Sequence, residues 1–172
     1  MAPEKTEKTL TDFFGYGHSD AEVSQIVHPE FRDSSQPLLL KAHLKETLTN
    51  ELGPGELLLN PWMNDQYDRP VFKATVRHSG VKFENPEKRV STSTWQFAPE
   101  IKVEQLPKDV KVDNDLGGFS HSCAQNGTTV TCTRTYYLKK MQLQTNLEYL
   151  NAKKFFDDIA KNDQEVIVLR GQ

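Results

Sequence analysis

The stretch Phe119–Cys132, FSHSCAQNGTTVTC, decides how this chain folds. An Asn-Gly pair between two runs rich in serine and threonine is a strong hairpin signal, because tight hairpin turns demand backbone angles that Asn and Gly tolerate. The stretch also holds the only two cysteines, Cys123 and Cys132. A two-residue loop at Asn126-Gly127 pairs Gln125 with Thr128. It leaves the cysteines on a diagonal about 7 Å apart, too far for an unstrained disulfide. A four-residue loop, 126–129, pairs Gln125 with Val130 and sets Cys123 opposite Cys132. In both registers the cysteines share a face with Phe119, Val130 and Tyr136. Ser120, Ser122, Thr129, Thr131 and Thr133 take the other face.

Three chemistries fit such a pair. A cross-strand disulfide closes a short loop and contributes about 2.5–3 kcal/mol on the chain-entropy account. Two buried thiols would act as small apolar groups. Zinc would need His121 and a fourth ligand, and no Cys-x-x-Cys or His-x-x-x-His spacing supplies them. The nine-residue separation also excludes a Cys-x-x-Cys redox pair. Asn126-Gly127-Thr128 fits the N-glycosylation pattern, but the turn alone accounts for it.

Strand-like segments extend outward from the hairpin. PLLLKAHLKETL, GELLLNP, PVFKATVRH, RVSTSTWQFAP, IKVEQLP and DVKV are short and rich in β-branched or alternating residues, and Pro, Gly, Asn or Asp separate them. Upstream, the first nine residues are polar and are expected to be loose. Ser19–Val27 reads as a short helix with Ser19 and Glu22 as its capping box. Downstream, Thr145 and Glu148 form another capping box. It opens a helix whose stripe is Tyr149, Ala152, Phe156 and Ile159. QEVIVLR is then a final strand, apolar on both faces and therefore central. The expected fold is mostly β: an antiparallel β-sandwich with a short N-terminal helix, a C-terminal helix and a final strand. Residues 1–35 are expected to form an extension or linker, and residues 36–172 the sandwich domain.

A net charge of −3 and a pI near 6.0 give no basic stripe for nucleic acid. No apolar run is long enough to span a membrane. The charged start MAPEKTEKTL lacks the apolar core of a signal peptide. The chain is therefore expected to be cytosolic, or a piece of a longer exported protein.

Sites for chemistry are sparse. His18, His28, His43, His78 and His121 pair with no recognisable nucleophile. Asp157 and Asp158 point about 100° apart on a helix, so they form no carboxylate dyad. NDQYDRP, 64–70, clusters oxygen donors without calcium-loop spacing. Trp62 and Tyr67 are a candidate platform for a sugar or peptide, and Trp95 reads as core. No cofactor motif is present, and no metal or cofactor is expected.

The order of the segments carries a resemblance. ELLLNPWMNDQYDRPVFKATVRHSGVKFENP (56–86), VEQLPKDVKVDNDLGGFSHSCAQNGTTVTCTRTYYL (103–138) and LEYLNAKKFFDDIAKNDQEVIVL (147–169) resemble, in sequence, the domain of unknown function that follows a transglutaminase-like core in exported bacterial proteins. FFGYGHSDAEVSQIV (13–27) resembles the joint between core and tail. Arg77, Val81, Phe83 and Pro86 match the pattern and are read as structural. Gly80 replaces a proline usual there, Asn85 replaces an aromatic, and the cysteine pair is not general to the family. The resemblance implies a non-catalytic accessory or interaction domain. The catalytic Cys, His and Asp would lie upstream of residue 1, so no residue here inherits those roles. It implies an upstream core as partner, other proteins or glycans as further partners, and a periplasmic or surface location. A disulfide between Cys123 and Cys132 would suit that location. A free-standing carbohydrate- or peptide-binding module is the alternative.

Overall fold

The structure is a computed structural model. It describes residues 3–15, 21–29, 38–45, 51–53, 55–62, 66–67, 71–84 and 87–171. The chain divides into two compact units, Met1–Thr49 and Asn50–Gln172.

The first unit contains helix α1 (Pro3–Phe14) and strands β1 (Glu22–Val27) and β2 (Lys41–Lys45). Two expectations are corrected here. The N-terminal helix lies at Pro3–Phe14, where loose chain was expected, and Glu22–Val27 is a strand instead of a helix. Proline at the first helical position already has the required φ and lacks only an N–H that would be unpaired anyway. Leu10 supplies a buried contact. In β1, branched Val23, Ile26 and Val27 favour extended backbone. Pairing with β2 sets Glu22 opposite Lys45 and Val23 opposite Leu44. Gln25 takes a positive φ of 51°, and the pairing shifts register around it, as at a bulge. The proposed cap, Ser19, lies outside the described residues. The alternating Lys41–Lys45 strand, expected within the sandwich, pairs here with β1.

The second unit runs β3 (Glu51–Gly53), β4 (Glu56–Leu59), β5 (Val81–Lys82), β6 (Lys88–Gln96), β7 (Ile101–Gln105), β8 (Val110–Asp113), β9 (Gly117–Asn126), β10 (Thr129–Leu138), β11 (Gln142–Leu143), α2 (Asn146–Asn162) and β12 (Ile167–Gly171). One four-stranded sheet has the order β6-β10-β9-β8, the other β3-β4-β12-β7, and β5 pairs with β11. All these pairings are antiparallel. The fold is mostly β and sandwich-like, closed by a C-terminal helix and a final strand. β12 is central in its sheet, and Ile167 and Leu169 are fully buried.

The hairpin takes the register expected for the four-residue loop, with Gln125 opposite Val130 and Cys123 opposite Cys132. It closes one pair further, Asn126 with Thr129, so the loop itself is the two residues Gly127-Thr128, with Gly127 at φ +59°. Counting from the hydrogen-bonded Asn126–Thr129 closure, Cys123–Cys132 falls on a non-hydrogen-bonded pair, where the strands run closest. Their Cα atoms are 4.1 Å apart. At the strand's other end a Cβ on Gly118 would lie 2.3 Å from the Tyr137 ring, so glycine lets the aromatic lie over bare backbone.

α2 opens as its sequence dictates. The Thr145 side chain accepts from the Glu148 N–H, and the Glu148 carboxylate accepts from the Thr145 N–H. Its stripe of Tyr149, Ala152, Phe156 and Ile159, with Phe155, packs on Phe119 and Tyr136 of the hairpin and on Phe72, Leu116 and Leu143. A neighbouring row reads backbone. Asn146 accepts from the Arg77 N–H (3.1 Å), Tyr149 donates to the Ala74 carbonyl (2.8 Å) and Lys153 donates to the Phe72 carbonyl (2.8 Å). These side chains, spaced i, i+3 and i+7, hold segment 72–77 along the helix.

Candidate functional site

The polar groups buried deepest gather where β10, the end of α2 and the segment after β4 meet. Along β10, residues 130, 132, 134 and 136 all face inward, so the alternation that buries Val130, Cys132 and Tyr136 also buries Arg134. A buried guanidinium needs an anion. Asp163, at the C-cap of α2, supplies it. Arg134 Nε donates to Oδ1 and Nη2 to Oδ2, both at 2.8 Å. The two side chains are 2% and 1% exposed. Asp163 also accepts the Tyr67 N–H at 2.9 Å, and its carbonyl accepts from Asn60 at 3.2 Å. The guanidinium carbon lies 5.7 Å from the Tyr67 ring centroid and 5.2 Å from that of Phe119. One ion pair thus ties sheet, helix and loop together.

Beside it, the Trp62 and His121 rings meet edge-on at 4.6 Å. Trp62 Nε1 and both His121 nitrogens are buried without a hydrogen-bond partner among the described residues. Burial pushes the His121 pKa down, since charge there would lose water; nearby Asp163 opposes the shift. Burial raises the pKa of both Tyr67 and Tyr136. Among the described residues no cluster of His, Cys, Asp or Glu could hold a metal.

The structure separates the residues singled out in the sequence. Cys123 and Cys132 are joined, with an S–S distance of 1.98 Å, and the Cys132 side chain is 1% exposed. Trp62 is only 4% exposed and Tyr67 packs edge-on against Tyr136 and Phe156. The expectation of a solvent-facing Trp62–Tyr67 platform is therefore corrected: the Trp62 ring is interior, and Tyr67 is half-buried with its ring packed against the core. Val81 and Phe83 pack against the core, and the Arg77 guanidinium carbon lies 5.9 Å from the Tyr149 ring centroid. Pro86 and Asn85, and most of the acidic 64–70 loop, lie outside the described residues. The sequence reading missed Arg134 and Asp163. The signal was present in the strand alternation, which buries a cation at position 134.

Residues 55–169 match the model of a domain of unknown function with solved structure, DUF3858. The chain belongs to this family. The match begins before β4 and ends inside β12, so it takes in both layers, α2 and the Arg134–Asp163 pair. The fold of this chain is also similar, in part, to the crystal structure of a "putative protease" from Parabacteroides distasonis. That similarity has a TM-score of 0.56 at 18% sequence identity, covering 67% of this chain and 23% of the other. About two thirds of this chain thus aligns with less than a quarter of that protein. No curated protein matches it.

Proposed function

We propose that this DUF3858 chain is a non-catalytic accessory or interaction domain of a larger exported bacterial protein, placed after a transglutaminase-like core. The observation that carries this reading is the alignment of its fold with only 23% of a much longer chain. The interior supports it. The ionised groups there are committed to joining layers, and the bonded cysteines offer no thiolate nucleophile. A bonded pair also suits an oxidising compartment, in keeping with a periplasmic or surface site.

Two measurements test the proposal together. The reading frame upstream of Met1 is expected to encode a core with Cys, His and Asp in transglutaminase-like order. The purified 172-residue chain is expected to turn over neither peptide substrates nor a glutamine-donor and amine-acceptor pair. Turnover that disappears on substituting one of the chain's own residues would overturn the reading.

A further inference from the structure

Four outer edges bound the two large sheets: β6 and β8 in one, β3 and β7 in the other. An exposed edge templates pairing with any extended chain, and natural sequences blunt it by shortness, charge, proline or bulges. Three of these edges are blunted. β8 has four residues, with Lys111 and Asp113 on it. β3 has three residues and pairs irregularly. β7 carries the Lys102–Glu104 ion pair and shifts register against β12. β6 is different. Its nine residues, KRVSTSTWQ, pair with β10 in unbroken register, contain no proline, and carry charge only at Lys88 and Arg89.

The register identifies the free backbone groups. The Phe97 N–H donates to Thr128 and the Leu138 N–H to Glu87, just beyond the two ends of β6. Antiparallel ladders alternate, so the odd positions of β6 address β10. Lys88, Val90, Thr92, Thr94 and Gln96 therefore turn N–H and C=O toward the outer edge. All five are exposed, Val90 by 60%. Among the described residues none has a backbone partner on that side.

We infer that this edge is built to pair antiparallel with β6 of a second copy of the chain, joining two four-stranded sheets into one. The edge is self-complementary. With Thr92 opposite Thr92, Val90 meets Thr94 and Lys88 meets Gln96, and every facing pair consists of outward-turned residues. The basic end of each strand then lies beside the neutral end of the other, whereas parallel docking would set the basic ends together. Branched Val90, Thr92 and Thr94 form cross-strand pairs on the outer face. A foreign acidic strand would find cations only at one end of the edge. Nine residues bury little against the roughly 1,200–2,000 Å² of a stable interface, so the dimer is expected with a Kd of about 10–100 µM. This inference stands independently of the transglutaminase reading.

The test is sedimentation of the whole chain from about 5 to about 500 µM, a range that brackets such a Kd. Thr92→Pro removes an outward N–H and no bond to β10. V90K/T94K sets lysines opposite each other and leaves the backbone untouched. Both are expected to weaken dimerisation at least tenfold with unchanged circular dichroism. Amide exchange at Val90, Thr92 and Thr94 of the native chain is expected to slow as concentration rises, while Lys111 and Val103 do not change. A monomer throughout the range overturns the inference. So does a dimer retained in V90K/T94K, or protection arising at β7 or β8 instead. If Thr92→Pro fails to fold, V90K/T94K and the exchange data decide alone.

Discussion

Asp163→Asn is the sharpest probe of how the layers are held. The substitution keeps the shape of the side chain and one carbonyl oxygen, so the Tyr67 N–H can retain an acceptor. It removes the countercharge from a guanidinium that is 2% exposed and bonded at 2.8 Å through two nitrogens. Stranding one member of a buried pair costs about 3–5 kcal/mol. For a unit of this size 1 kcal/mol moves the melting temperature by about 3–6 °C, so a fall of about 10–30 °C is expected. Thermal and urea unfolding followed by circular dichroism, with the cysteines oxidised, reads the change. The double variant R134L/D163L strands no charge. It is expected to be more stable than Asp163→Asn, its residual loss reflecting the Tyr67 N–H left unpaired. A fall of less than about 1 kcal/mol for Asp163→Asn, or a double variant worse than the single, would refute the reasoning.

Alkylation of the unfolded, non-reduced chain is expected to label neither cysteine; two labels would show the pair to be reduced. Reduction is expected to lower stability by about 2–3 kcal/mol, measured by urea melts with and without reductant. Trp62→Ala is expected to cost about 3–5 kcal/mol through an interior cavity; a variant of native stability that lost affinity for a glycan would restore the platform. The His121 pKa is lowered in the folded state, so protonation favours the unfolded chain and stability is expected to fall as pH drops below about 6.5. His121→Phe should flatten that limb, and an unchanged slope would count against it. Bonds from Lys140 and from the Gln144 and Thr145 N–H groups hold the Glu148 pKa down to about 2. Its stabilisation is therefore present above about 4.5 and lost as pH falls toward 2, which carboxyl NMR titration checks directly; a midpoint above 4 would contradict the geometry.

Much of the second unit was legible because its signals are local. Alternation fixed which hairpin residues turn inward, the Thr145–Glu148 spacing fixed the start of α2, and the doubly apolar VIVL run marked β12 as central. The choice between the two hairpin registers was not legible, since Asn-Gly also fits the turn of the other one and only pairing with both neighbours selects the register that sets Cys123 opposite Cys132. β1 was misread because Ser19 and Glu22 mimic a cap, while the strand owes its existence to β2, some twenty residues away. The ion pair was half legible. Parity buries Arg134, but its anion lies 29 residues downstream at a helix end, and no pattern in the chain points there. The Trp62–Tyr67 platform failed for a related reason, since composition shows aromatics without showing which side of the sheet they reach.

The lashing of segment 72–77 to α2 has an evolutionary consequence. Asn146, Tyr149 and Lys153 grip main-chain atoms, so apart from the Arg77 guanidinium near the Tyr149 ring the helix sets the segment's path without reading its letters. Phe72 alone is anchored in the core, and positions 73–80 are exposed. Such a stretch can drift in sequence at little cost to the fold. Related chains could diverge most there, and foreign residues could be grafted onto it while the helix keeps them in line.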